Sequence, residues 1–173
     1  MIQQSHREEL LVLGKELLRL QADVRNLEVR EKGSNGPVTK ADLFADAWLK
    51  DFLPKILNVP VFSEEDHPFE NSQDSFWLID PIDGTKEFVA GGTDFCVCAV
   101  LFQGIEPTFS FIYSPAHSEI YWAKKGEGAF RWKKNTAEKN QENSVAQISS
   151  NARRLTQLKE ATLLVSKSHP SKK

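Results

Sequence analysis

The hydrophobic period of this chain changes once, near residue 59, and that change limits the folds open to it. Upstream, Leu10, Leu13, Leu17, Leu20, Val24 and Leu27 recur at alternating steps of three and four, one stripe of a helix surface. Ser5 and Glu8 form an S-x-x-E capping box ahead of that stripe. Gly33 and Gly36-Pro37 interrupt the pattern. A second helix is predicted from near Thr39, with Asp42 in its first turn. Phe44, Ala45, Trp48 and Phe52 form its apolar face, and Pro54 lies near its end. Downstream the period is that of strands: VPVFS at 59–63, FWLI at 76–79, DFCVCAVLF at 94–102, PTFSFIYS at 107–114, SEIYWA at 118–123 and GAFRW at 128–132. DFCVCAVLF is apolar on both faces and reads as a central, fully covered strand. PTFSFIYS alternates, with Phe109, Phe111 and Tyr113 on one side. Two helices followed by a meander of strands predict an α+β domain, the helices packed on a mostly antiparallel sheet.

After residue 132 the character shifts. KKNTAEKNQENSVAQISSN, at 133–151, is polar and almost free of large apolar groups, the composition of a surface loop or linker. ATLLVS at 161–166 then reads as one more buried strand, followed by KSHPSKK at 167–173. Such a strand either pairs back onto the first sheet or opens a second domain. The division expected is therefore 1–132 as an α+β domain, 133–160 as linker, and 161–173 as the first strand of a second unit.

Composition removes several classes of function. The net charge of -2 offers no basic field for a nucleic acid polymer or an anionic lipid surface. No apolar run approaches the ~20 residues of a membrane span, and the N-terminus MIQQSHREEL carries acids early, unlike a secretory signal. The two cysteines, Cys96 and Cys98, fall on the same face of a strand and read as small buried thiols in a reducing, cytoplasmic setting.

The chemistry concentrates in WLIDPIDGTKEF, 77–88. Asp80 and Asp83 flank Pro81-Ile82, a turn able to aim both carboxylates at one point. Adjacent carboxylates repel unless a positive group sits between them. Upstream, SEED places Glu64, Glu65 and Asp66 at the end of another short strand. Hard oxygen ligands without nearby His or Cys favour magnesium, with calcium and manganese as lesser options. His67 follows these acids, but its nitrogen suits softer metals, and it reads as a surface residue. Gly84 lets the backbone approach a bound group, and successive N–H groups at Gly84 and Thr85 can cradle an anion. A helix starting at about Thr85 would add its dipole. A dication site beside a phosphate site is what metal-assisted hydrolysis of a phosphate ester needs. SEED alone reads as a solvated acid run. The string D-P-x-D-G-T is more specific, with a chance occurrence of about one in ten thousand for a chain this long.

These residues resemble the lithium-sensitive, magnesium-dependent phosphatase superfamily that includes inositol monophosphatase and fructose-1,6-bisphosphatase. The likeness is carried by PVTKAD at 37–42, VFSEED at 61–66 and WLIDPIDGTKEF at 77–88, in matching order and spacing. DGTKEF and VSKSHP at 165–170 are similar to the bacterial 3'(2'),5'-bisphosphate nucleotidase branch, which acts on adenosine 3',5'-bisphosphate in sulfate assimilation. The resemblance implies the first half of the layered sugar-phosphatase fold. It implies Glu64, Asp80, the backbone carbonyl of Ile82 and Asp83 as metal ligands. Asp42, Glu64 and Thr85 become the catalytic set, Asp42 pairing with Thr85 to activate the attacking water. Glu64, Asp83, Gly84, Thr85 and Lys86 become the residues that face substrate, and Glu65 an acid near a further metal. Mg²⁺ is the implied cofactor, Mn²⁺ an alternative and Li⁺ an inhibitor. In-line attack on phosphorus is implied, without a covalent phospho-enzyme.

The sequence departs from that family in one respect. Members continue into a second α/β domain with a W-D-x-x-A-like motif, whose aspartate completes a metal site. Here Trp122 is followed by Ala123 and Trp132 by Lys133. The chain reads as the first domain with the second one missing. Weak Mg²⁺ binding, low or absent turnover, and self-association through the surface left open are the consequences expected. An inositol or sugar monophosphatase, and a non-catalytic metal- or phosphate-binding half-domain, are the alternatives. Localisation reads as cytoplasmic, with peripheral association with the inner membrane compatible with the resemblance.

Overall fold

The computed structural model describes residues 2–23, 30–31, 37–64, 74–134 and 145–149. In chain order the elements are α1 (Gln4–Ala22), β1 (Arg30–Glu31), β2 (Pro37–Val38), α2 (Lys40–Ile56), β3 (Val61–Ser63), β4 (Ser75–Asp83), α3 (Thr85–Val89), β5 (Cys96–Gln103), β6 (Glu106–Ser114), β7 (Glu119–Lys124), β8 (Gly128–Lys133) and β9 (Val145–Ile148). Strands β3 to β9 form one seven-stranded sheet in sequential order, and β1 and β2 make a separate antiparallel pair. Within the large sheet only β3 and β4 run parallel. The expected architecture, two helices on a mostly antiparallel sheet, is the one observed.

The helices cover one face of that sheet. Leu10, Leu13 and Leu17 of α1 are buried, as the periodicity requires, while Val24 and Leu27 lie outside the described residues. The start of α1 differs from expectation. The helix begins at Gln4, so Ser5 and Glu8 lie inside it. The Gln3 N–H donates to His6 Nδ1 at 3.3 Å, and Arg7 reaches back to the carbonyl of the buried Ile2. Anchoring Ile2 in the core moves the helix start ahead of the Ser5 signal.

α2 starts where expected, with Thr39 as its N-cap. Its buried stripe is Ala41, Ala45, Leu49, Phe52 and Leu53. Phe44 is exposed, and Trp48 is partly buried, stacking on Phe52 at 4.7 Å between ring centroids. Ala41 and Ala45 are fully buried on the stripe α2 turns to the core, and Phe44 lies off that stripe. Pro54 is accommodated in the last turn, two residues before the helix ends.

Across the sheet, Trp77, Ile79, Val97, Ala99, Leu101, Phe109, Phe111, Tyr113, Ile120, Trp122 and Trp132 are buried, and with the helix stripes they make the core. Phe109, Phe111 and Tyr113 share one side, as expected. β5 is central but not covered on both faces: Val97, Ala99 and Leu101 are buried, whereas Cys96, Cys98, Val100 and Phe102 are half-buried. The opposite face of the sheet carries the exposed Leu78, Ile112 and Ile148. The stretch read as linker, 133–160, contains a strand. β9 pairs with the edge of β8, and all four of its residues are exposed. A strand with neither face covered carries no burial pattern, which is why its sequence reads as loop. Residues 161–173 lie outside the described residues. Among the described residues no helix is long and apolar enough to cross a membrane.

Candidate active site

Strand register builds the site. β4 and β5 pair regularly from Ser75–Gln103 to Asp80–Cys98, then slip, so that Asp83 lies opposite Cys96. Three positions on β4 are matched by two on β5, which is a bulge at Pro81-Ile82. In a regular strand, residues three apart point to opposite faces. The extra residue turns Asp83 back to the face of Asp80, while Ile82 drops into the core at 1% exposed.

Parallel pairing adds a third acid. Ser63 is in register with Ile79, and the Glu64 N–H donates to the Ile79 carbonyl at 3.2 Å. Glu64 therefore leaves β3 beside Asp80. The Asp80 carboxyl is pushed up to about 8, first by burial, then by the charge and hydrogen bond of Glu64 and the charge of Asp83. Its Oδ1 is buried and has no hydrogen-bond partner among the described residues.

A second cluster joins α2 to the turn after β4. The Thr39 N–H and hydroxyl both donate to Asp42 Oδ2, at 2.8 and 2.6 Å, and the Ala41 N–H donates to Thr39 Oγ1 at 3.1 Å. This is a capping box built with aspartate, and both residues are 1% exposed. Asp42 Oδ1 is left to face Thr85 Oγ1, 3.2 Å away, and the Thr85 hydroxyl also lies 3.0 Å from the Ile82 carbonyl. Gly84 caps the short helix α3 at φ +91, and a Cβ there would stand 2.8 Å from the Asp94 carbonyl oxygen. Only glycine meets both demands at this close turn. Lys86 is exposed on α3.

The structure thus brings Asp42, Glu64, Asp80, the Ile82 carbonyl, Asp83, Gly84 and Thr85 to one corner at the end of β4. Glu65 and His67 lie outside the described residues. Three further residues, Thr39, Cys96 and Cys98, were not assigned to the site from sequence. Thr39 was legible as the first residue of T-x-x-D. Cys96 and Cys98 were placed on one face, but only the register shows that this is the face of the acids.

The oxygen set fits a hard dication. A buried carboxylate oxygen without a donor, in a group whose ionisation burial and neighbouring acids oppose, is relieved by a cation at that corner. Glu64, Asp80, the Ile82 carbonyl and Asp83 are the groups that would hold it.

Known proteins are similar to this chain. The chain is 38% identical over 112 residues to the 3'(2'),5'-bisphosphate nucleotidase CysQ of Aggregatibacter actinomycetemcomitans, covering 62% of this chain and 42% of that protein. It is similar to the solved CysQ of Bacteroides thetaiotaomicron, described as a bacterial member of the inositol monophosphatase family. The TM-score is 0.61 at 27% identity, over 83% of this chain and 56% of the other. It is also similar to an IMPase/NADP phosphatase complexed with Mg²⁺ and phosphate, with a TM-score of 0.57 at 25% identity, over 68% and 46%. The chain spans less than half the length of the nucleotidase it matches. The sequence pattern of the inositol monophosphatase family runs through residues 5–172, over the helices, the bulged strand and the acids it gathers, and the chain belongs to that family.

Proposed function

We propose that this chain carries the metal- and phosphate-binding half of a magnesium-dependent phosphate monoester hydrolase. The substrate favoured is the 3'-phosphate of adenosine 3',5'-bisphosphate, as in sulfate assimilation. The observation that carries the reading is the bulge that turns Asp80 and Asp83 to one face, beside a Thr85 hydroxyl already held by Asp42. The likeness to CysQ nucleotidases, and the Mg²⁺ and phosphate in a related solved structure, support the substrate class and the metal.

Glu64, Asp80, Asp83 and the Ile82 carbonyl would hold Mg²⁺, which when bound supplies electrophilic stabilisation of phosphate oxygens and lowers the pKa of water. Mn²⁺ has the same hard-oxygen preference and Li⁺ is the inhibitor implied by kinship. The chain's own residues do the rest. Thr39 fixes Asp42 through two donors, so Asp42 Oδ1 stays aimed at Thr85. With its proton directed to Asp42, the Thr85 oxygen presents a lone pair to an incoming water and so orients it and draws its proton. The bend at Gly84 turns the start of α3, at Thr85, toward the place a phosphate oxygen would take. Lys86, beside it, adds a positive charge for the substrate. The apolar residues Leu78, Ile112 and Ile148 on the sheet face opposite the helices support self-association of the chain.

Isothermal titration with MgCl₂, with and without adenosine 3',5'-bisphosphate or inositol 1-phosphate, tests the reading, paired with a phosphate-release assay. Expected is Mg²⁺-dependent nucleotide binding that is lost in Asp83→Asn, with slow phosphate release. Preference for inositol 1-phosphate would reassign the substrate. Binding without any release would leave a non-catalytic half-domain. No Mg²⁺ binding at all would refute the reading.

A further inference from the structure

The register that gathers the acids also presents two thiols to them. Cys96 and Cys98 are half-buried free cysteines on the face of β5 that Asp80 and Asp83 share. Their sulfurs lie 3.6 Å apart, and Cys96 Sγ is 3.9 Å from Asp83 Oδ2. The two sulfurs and a carboxylate oxygen of Asp83 all lie within 4.8 Å of one another. A tetrahedral zinc ion, with Zn–S of about 2.3 Å and Zn–O of about 2.0 Å, sets ligand atoms about 3.8 Å apart for two sulfurs and about 3.5 Å for sulfur and oxygen. The sulfur pair is close to that edge, the Asp83 oxygen needs a few tenths of an ångström toward Cys96, and closing on Cys98 from within 4.8 Å is a rotation of an exposed aspartate side chain. The protein thus carries three ligand atoms within 4.8 Å of one another on a two-stranded platform.

We propose that Cys96, Cys98 and Asp83 form a binding site for a soft divalent cation of the Zn²⁺ class, distinct in chemistry from the hard-oxygen centre and sharing one ligand with it. Thiolates select zinc over magnesium, whereas carboxylate and carbonyl oxygens select magnesium. Binding requires no redox step: each thiol gives up its proton to solvent and each sulfur donates a lone pair to the metal. Because Asp83 is common to both, a zinc ion on the thiols removes a carboxylate from the magnesium set. The thiol geometry stands without the phosphatase reading, and the test uses no substrate.

Co²⁺ serves as a spectroscopic probe for the Zn²⁺ site. The full chain, reduced and in magnesium-free buffer, is titrated with Co²⁺ and then back-titrated with Zn²⁺. Expected is a thiolate-to-cobalt charge-transfer band that Zn²⁺ abolishes, lost in Cys96→Ser and Cys98→Ser and weakened in Asp83→Asn, with circular dichroism showing the variants folded. In parallel, Zn²⁺ should slow iodoacetamide alkylation of both cysteines in the unmodified chain by about ten-fold or more, read by mass spectrometry, since a metal-bound sulfur is withdrawn as nucleophile. Absence of the band in the unmodified chain, its persistence in the double serine variant, or alkylation indifferent to Zn²⁺ would each overturn the site.

Discussion

Replacing Asp80 with asparagine tests whether this corner is built at the expense of stability. In the unfolded chain the carboxyl has its ordinary value of 3.8; in the fold it is pushed up to about 8, by burial first and by Glu64 and Asp83 after that. A rise of that size, at about 1.4 kcal/mol per pKa unit, would be worth roughly 6 kcal/mol at full strength. Asp80 is only half-buried, so solvent screening reduces this to about 2 kcal/mol. The folded carboxyl retains a proton that the unfolded one has released. The protein's stability is therefore highest, in this respect, below 3.8 and is lost as pH rises through about 8. Asp80→Asn, which cannot ionise, escapes that loss. In urea unfolding at pH 7 with EDTA, the variant should be the more stable by about 2 kcal/mol, a midpoint higher by about 1 M for a typical slope. Its advantage should shrink toward pH 4. Saturating MgCl₂ should reverse the order, because a ligand bound only by the native acids stabilises the unmodified chain alone. A variant no more stable than the parent in EDTA at pH 7, or a difference flat between pH 4 and 8, would refute the reasoning.

Two other substitutions probe the scaffold. In Gly14→Ala the new methyl would fall 1.9 Å from the Tyr113 hydroxyl, inside the packed core. Thermal unfolding should show a loss of about 2 kcal/mol, overpacking outweighing the gain in helix propensity, and a higher melting temperature would show that Tyr113 moves aside freely. Glu119, held at about 2 by hydrogen bonds from Arg131, Lys133 and Tyr121, stabilises the β7–β8 pairing above 4.5, and that contribution fades as pH falls through 2. Glu119→Gln should cost about 1 kcal/mol at pH 7, and the gap between the melting curves should close at pH 2; a gap that persists there would assign the effect to packing instead.

Much of the architecture was legible because burial leaves a periodic trace. Leu10, Leu13 and Leu17 announced α1, and Phe109, Phe111 and Tyr113 announced the covered face of β6, since each set faces one core. Where a segment packs on nothing, or its orientation depends on a neighbour, the trace fails. β9 was read as linker because its residues are all exposed. Phe44 was read as core from its aromatic character, but the buried stripe of α2 runs through Ala41, Ala45, Leu49, Phe52 and Leu53 instead. The Ser5-Glu8 box lost to an N-terminus anchored through Ile2.

The site divides along the same line. DPIDGT by itself determined that acids, a sharp turn and a glycine would meet after a buried strand, because those residue types have few other uses in that order. Thr39 and Asp42 were coupled by local spacing alone. That Asp80 and Asp83 aim at one point was expected from a turn at Pro81-Ile82, but the chain stays in strand through Asp83, where residues three apart would regularly face opposite sides. That was decided by pairing: the one-residue slip against β5 rotates Asp83 into line, the parallel register with β3 delivers Glu64, and the same slip sets Cys96 and Cys98 beside the acids. Register is a property of two strands, so tertiary structure alone could specify which oxygens and sulfurs lie side by side.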